Sequence, residues 1–285
     1  MDIQKNKPFI KEYSLPENTW SGISVIDMEE KKTEHDIFNP HRDSHYLLVI
    51  SNSGRFNLMV DFENITIEGS AFILIAPGCV HQILEIIDPK GWAISFDGSA
   101  IHKETSTLHH ELFNKPFLLS NDDFLSHQLF TISKLLLDLQ ASDRISSKQA
   151  KHCLLNALIN LIGNQNSIEH TSNNRITRKK AIENEFLSLL FKYFRNEKMP
   201  SFYAKQLSLS TAHLNDTIKE LTGITVTQHI QRQSILEAKR LLYVTNLTVK
   251  EICYTVGYQE PIYFGKLFKK LERISPLAFR EKFHD

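Results

Sequence analysis

Two segments near the carboxyl end, offset by about 50 residues, carry the same apolar spacing. Ala204, Leu207, Leu214, Ile218 and Leu221 in the first correspond to Cys253, Val256, Phe264, Phe268 and Leu271 in the second, with one extra residue in the second turn. Each segment reads as a short helix, a tight turn and a longer helix, over about 200–223 and 248–272, which is the anatomy of a helix-turn-helix. The local chemistry agrees. Thr248 and Glu251 have capping-box spacing, Gly257 suits a left-handed helix end, and Pro261 suits the first turn of the next helix. In the first segment Ser210 is a natural N-cap and Gly223 a natural residue beyond the C-terminus.

Between the two segments runs TQHIQRQSILEAKRLLYV, apolar at Ile230, Ile235, Ala238, Leu241 and Leu242. A helix of that length spans roughly 25 Å. It is suited to holding two recognition helices about one turn of DNA apart, a separation of roughly 34 Å.

The zero net charge of the chain hides a division. Residues 1–174 hold 14 Lys and Arg against 22 Asp and Glu; the remainder holds 19 against 11. The last third is therefore basic and attracts phosphate backbones through counterion release, whereas the acidic part must do something else.

Ahead of the basic part, His45 to Phe96 is β in pattern. HYLLVIS, RFNLMVDF, ITIEG, AFILIA, VHQILEII and GWAISFD are short branched and aromatic runs, separated by SNSG, FEN, GS and APG. They predict an antiparallel barrel or sandwich over about 20–100. From about 122 to 163 the period becomes helical, one apolar set being Leu154, Ala157, Leu158 and Leu161. The polar stretch GNQNSIEHTSNN predicts a linker over 164–176. The expected organisation is thus α+β: a domain over 1–163, the linker, and an all-α domain over 177–285. That last domain begins with a helix whose apolar face is Ile182, Phe186, Leu189, Leu190 and Tyr193.

On the longer helix of the second segment, Phe264, Leu267, Phe268 and Leu271 fall on one face. Gln259, Glu260, Pro261, Ile262, Tyr263 and Lys266 are left for a major groove, with Lys269 and Lys270 at its rim. Lysine donates to guanine O6 and N7 or neutralises phosphate. On the first longer helix Ser210, Thr211, Ala212, His213, Asn215, Asp216 and Lys219 remain once Leu214, Ile218 and Leu221 turn inward. Asp216 repels phosphate and favours only a base amino group, so this helix is expected to read weakly or to position the protein.

These residues resemble the AraC/XylS family of bacterial transcription regulators. The resemblance runs over most of 180–283. It includes A-x-x-L-x-x-S-x-x-H-L from Ala204, then Gly223, then R-x-x-x-x-x-A-x-x-L-L from Arg232 to Leu242. It ends in I-C-Y-x-V-G-Y-x-x-x-x-Y-F-x-K-x-F-K-K…S-P-x-x-F-R from Ile252 to Arg280. Two positions depart from the family pattern: Asp216 stands where a basic residue is usual, and Arg273 where glycine is usual. The fragments PHRDSHY and APGCVH resemble, more loosely, the paired segments of a cupin-like barrel. The resemblance implies an amino-terminal cupin-like barrel that senses a small molecule, with two following helices that mediate dimerisation. By that analogy His41, His45 and His81 are candidate effector-binding residues. The implied partners are double-stranded promoter DNA, a small-molecule effector, a second copy in a homodimer, and RNA polymerase if the protein activates.

Other classes fare less well. Three imidazoles from His41, His45 and His81 also suggest a metal-dependent cupin enzyme, but the usual cupin metal pattern has a spaced H-x-H and a glutamate that this chain lacks. No metal or cofactor is therefore expected. No Ser/His/Asp elbow, Gly-rich phosphate loop or cluster of DNA-cleaving carboxylates occurs, so catalysis is not expected either. A barrel that serves only for oligomerisation remains open. Cys79, Cys153 and Cys253 lack metal or redox spacing and read as buried reduced thiols. No stretch has the length and apolarity of a signal peptide or a membrane span, which places the expected location in the cytoplasm.

Overall fold

A computed structural model describes residues 10–16, 19, 21–30, 36–102, 112–120, 123–140, 145–163 and 174–284. The chain divides into two compact units, one over Ile10–Glu169 and one formed chiefly by His170–Asp285. Each is described by itself.

The amino-terminal unit holds strands β1 (Lys11–Tyr13), β2 (Ile23–Asp27), β3 (His41–Asp43), β4 (Tyr46–Val60), β5 (Glu63–Glu68), β6 (Ala71–Ile75), β7 (Val80–Phe96) and β8 (Pro116–Leu118). They form one sheet in the order β1-β3-β7-β4-β6-β8, with β2 added on β7 and β5 on β4. SNSG is not the turn that its composition predicts. β4 runs through it as one 15-residue strand and β7 joins VHQILEII to GWAISF, the pair shifting register between Ser51 and Arg55. The bends require glycine. A Cβ on Gly54 would meet the Asp88 carbonyl oxygen, and one on Gly91 would overlap that of Ile50, so the two backbones cross closer than any side chain allows.

This bend folds the sheet on itself. Ala71, Ile73 and Ile75 on one face of β6 join Phe56, Leu58, Val60 and Ile67 from the other half in one core. Phe72 and Leu74, on the opposite face of β6, join Ile23, Val25, Leu48, Ile50, Ile94 and Phe96 in a second. β6 is therefore buried on both sides, which accounts for its unbroken apolar run AFILI. The turn signals predict an antiparallel barrel or sandwich; among the described residues the sheet is open, β1 and β8 ending the path unpaired with each other. It is also mixed, because β1 and β3 pair in parallel.

Helices α1 (Phe124–Gln140) and α2 (Ile145–Gly163) cover the second core. The buried face of α2 is Leu155, Leu158, Ile159 and Ile162, one position round from the set Leu154, Ala157, Leu158 and Leu161. Both sets fit helical spacing because LL and LI doublets sit side by side, and packing on the sheet decides between them. Cys79 and Cys253 are buried as expected, but Cys153 is exposed, turned outward by the same rotation of α2.

Among its described residues the second unit is all-α: α3 (Asn174–Tyr193), α4 (Pro200–Gln206), α5 (Thr211–Thr222), α6 (Val226–Val244), α7 (Val249–Thr255), α8 (Pro261–Glu272) and α9 (Pro276–His284). α3 begins at Asn174, inside the stretch expected as linker; the rest of that stretch, 164–173, lies outside the described residues. α6 runs through the whole unit. Val226 and Ile230 at its start pack with Phe186, Leu190, Tyr203, Ala204, Leu214 and Ile218. Further along, Ile235, Ala238, Leu242 and Val244 are buried as well, on the stretch that contacts α7, α8 and α9. Arg280 on α9 donates to the carbonyls of Leu242, Thr245 and Leu247 and so closes the open end of α6.

Candidate nucleic-acid interface

The ends of both longer helices are set by their own residues. Ser210 caps α5, its hydroxyl accepting from the His213 amide at 3.2 Å, and Gly223 ends it at φ 76°. Thr248 and Glu251 form the predicted capping box on α7, and Pro261 opens α8. A second capping box, Thr225 with Gln228, starts α6; its T-x-x-Q spacing was there to be read in the sequence. α8 ends on Arg273 at φ 66°, where α5 has glycine.

α8 buries Phe264, Leu267 and Phe268. At about 100° per residue, Ile262, Tyr263, Lys266, Lys269 and Lys270 fall in the opposite arc, and all five are exposed. Ile262 is 76% exposed and Tyr263 50%, so this helix offers apolar and aromatic groups as well as charge to a partner surface. Gln259 and Glu260 stand exposed just before it, and Pro261 is half-buried. Tyr263 also meets α6, its hydroxyl lying 3.4 Å from Gln231 Nε2.

α5 buries Leu214, Thr217 and Ile218, leaving Ala212, His213, Asp216 and Lys219 exposed together. Thr211 is exposed at the edge of that arc. Two of the expected contact residues are partly engaged inside the protein. The Ser210 hydroxyl caps its own helix, and the Asn215 side-chain oxygen accepts from the Val226 amide at 3.3 Å, tying α5 to the start of α6. The two helices therefore differ in character: α8 shows three lysines and no acid on its open arc, whereas α5 shows Lys219 with two acids, Asp216 and Glu220, the latter paired with Lys179.

The turn before α8 is tied to the rest of the unit by Lys198, which the sequence alone did not single out. Its ammonium donates to the carbonyls of Phe194 and Val256 and to Ser234 Oγ, and lies 4.6 Å from the centroid of the Tyr258 ring. Burial pushes its pKa down to about 8. Glu237, buried on α6, pairs with Arg195 and Arg240. These polar ties join the end of α3 to α6 and to the turn before α8.

Residues 203–282 match the family model described as a helix-turn-helix domain. Residues 203–282 are an AraC-type helix-turn-helix domain. Among similar proteins, an uncharacterised HTH-type transcriptional regulator of Bacillus subtilis, YisR, is 41% identical over 81 residues, which is 27% of this chain and 28% of that protein. The HTH-type transcriptional activator RhaS of Salmonella schwarzengrund is 30% identical over 105 residues, 37% of this chain and 38% of that protein. Of solved structures, the C-terminal domain of the response regulator yesN from Fusobacterium nucleatum is 29% identical. It covers 36% of this chain and 98% of that one, with a TM-score of 0.32. This chain thus spans well under half the length of the two curated relatives.

In the other unit the structure brings together all three histidines expected at an effector site. His41 faces His81 directly across β3 and β7, with ring centroids 4.3 Å apart. His45 joins them through a residue that had not been singled out, Asp43, whose Oδ2 lies 3.4 Å from His45 Nε2 and 3.5 Å from His81 Nε2. All four side chains are buried. Burial alone would push the Asp43 carboxyl up, but the facing imidazoles of His81, His45 and His41 outweigh it and hold the group below the usual carboxylate range. The signal was partly legible: residues 41 and 43 alternate along β3 and so share one face, while His45 sits in the bend that follows. Among the described residues, no helix is long and apolar enough to cross a membrane.

Proposed function

We propose that the full chain is a sequence-specific DNA-binding transcriptional regulator. The observation that carries this reading is the open arc of α8, where Ile262, Tyr263, Lys266, Lys269 and Lys270 stand exposed opposite a fully packed face of an AraC-type domain. Lys266 with Gln259, Glu260 and Tyr263 reads base edges, while Lys269 and Lys270 bind phosphate. α5 positions the protein through Thr211, His213 and Lys219 and adds little base reading, because Asp216 sits in the middle of its exposed arc. α6 holds the two helices in successive major-groove segments of one duplex.

The amino-terminal unit, over 1–163, is the regulatory part in this reading, joined through 164–176 to the DNA-binding part over 177–285. The buried histidine cluster supports a ligand site at His41, His45 and His81. Exposed Leu118, Phe124 and Leu135 on and near α1 supply apolar surface for a second copy. RNA polymerase is the partner if the protein activates, and the protein works in the cytoplasm with its promoter.

The test is selection of randomised duplex DNA by the full chain at near-physiological salt. Enrichment of a site with two segments about one turn apart supports the reading. Recovery of unselected sequence, competed as well by heparin as by any duplex, overturns it.

A further inference from the structure

Asp43 and His81 are both more than nine-tenths buried, at 5% and 6% exposure. Among the described residues, Asp43 Oδ1 and His81 Nε2 have no hydrogen-bond partner. A buried carboxylate oxygen and a buried ring nitrogen left this way are costly, so their surroundings deserve a chemical explanation. The tautomers supply part of it. His41 Nδ1 lies 2.8 Å from the Asn39 carbonyl oxygen and His81 Nδ1 3.2 Å from that of Cys79. A neutral imidazole whose Nδ1–H donates to a carbonyl carries its lone pair on Nε2, which is how a protein orients a histidine for a metal.

The spacing supplies the rest. One ligand atom from each of His41, Asp43 and His81 can be chosen so that all lie within 4.8 Å of one another. The separation of His81 Nε2 from Asp43 Oδ2, 3.5 Å, is long for a hydrogen bond. It is close to the edge of a tetrahedron with ligand bonds near 2.1 Å, roughly 3.4 Å.

We propose that His41, Asp43 and His81 bind one divalent transition-metal ion of the zinc class. Two imidazoles and one carboxylate suit a borderline first-row ion, where magnesium and calcium demand oxygen ligands. Three protein ligands leave a position for water or a small ligand. His45, 3.4 Å from Asp43 Oδ2, acts as a positioning residue that orients the carboxylate. The cluster ties β3 to β7 across their first paired residues, so the ion would also clasp the end of β3 to the sheet. The proposal rests on reading this cluster as a ligand site but not on DNA binding by the other unit, and the two fail separately.

The experiment uses the tag-free full chain, stripped with a chelator and dialysed against zinc, with metal content measured per chain. Cobalt titration followed by visible absorption reports the ligand geometry. One retained zinc ion per chain, cobalt bands saturating at one equivalent, and affinity at least about 10-fold weaker in both Asp43→Asn and His81→Gln are the expected results. Near-UV circular dichroism confirms that each variant is folded, and a His152→Gln control, outside the cluster, should retain zinc unchanged. No retained metal, or equal retention by the wild-type chain and the Asp43→Asn/His81→Gln double variant, overturns the proposal. The first of those outcomes would leave Asp43 as a buried ion-pair partner of its histidines; the second would assign binding to surface histidines. Either result leaves DNA selection by the same preparation unaffected.

Discussion

Gly257 lies against the carbonyl oxygen of Arg195 so closely that a Cβ at that position would overlap it. The residue also holds φ 86°, and its neighbour Val256 gives its carbonyl to Lys198. The end of α7 is therefore seated on the end of α3 with no space for a side chain. Gly223 shares the left-handed conformation, at φ 76°, but its missing Cβ would meet nothing within 4 Å. Gly257→Ala should cost more than ~3 kcal/mol, because backbone must move, and Gly223→Ala only about 1 kcal/mol. Urea melts of the two variants of the full chain check the difference. Equal losses would show that strain of the dihedral, not the close approach, dominates.

Arg273 ends α8 at φ 66° in an exposed position. A left-handed non-glycine residue is strained by about 1–2 kcal/mol, part of which glycine returns through its freer unfolded chain. Arg273→Gly should therefore stabilise the domain by ~0.5–1 kcal/mol in thermal or urea unfolding. If the guanidinium touches phosphate, the same variant binds all DNA sequences more weakly and with a shallower salt dependence.

Lys266 and Lys269 occupy one arc of α8 but should behave differently. Lys266→Ala is expected to lose discrimination at one base position, about 1–3 kcal/mol, in competition binding against single-base variants of the selected site. Lys269→Ala should weaken every sequence alike and lower the salt slope by about 1. A Lys266→Ala protein with unchanged affinity and preference would mean that α8 meets the groove by another face.

His229 makes the domain sensitive to acid. Its Nε2 lies 2.9 Å from Thr222 Oγ1 and its ring packs edge-on to Phe186. Burial, then the nearby Arg232 charge, hold its pKa down to about 4 from the usual 6.5. The unfolded chain takes up this proton first, so the contribution is complete above pH 6.5 and is lost as pH falls from 6.5 through 4. The expected loss is about 1–3 kcal/mol. Unfolding measured across that window should show a shallower decline in His229→Gln; parallel curves would remove His229 as the cause.

The carboxy-terminal domain was legible because its information is local. Ser210, Gly223, Thr248, Glu251, Gly257 and Pro261 each act within one or two turns of chain, and the apolar spacing of α8 admits one buried face. The amino-terminal unit was less so because its decisive contacts are distant. Ser51 to Gly54 reads as a turn until Gly54 and Gly91 are seen to let two long strands cross. The doublets on α2 fit two faces equally, and only the sheet selects Leu155, Leu158, Ile159 and Ile162. Asp43 does not match the glutamate of the usual cupin metal pattern, yet alternation along β3 places its carboxylate on the same face as His41; His45 reaches it only through the bend that follows the strand.

α6 has no joint. Its first turns belong to one half of the domain and its last turns to the other, and Arg280 seals its far end. The angular offset between α5 and α8 is thus a built-in constant, like the spacing of teeth on a key. On the proposed function, half a helical turn of DNA inserted between the two segments should therefore abolish simultaneous contact by α5 and α8, and a regulatory signal would act by moving the whole domain to a new place instead of by changing the angle between its helices.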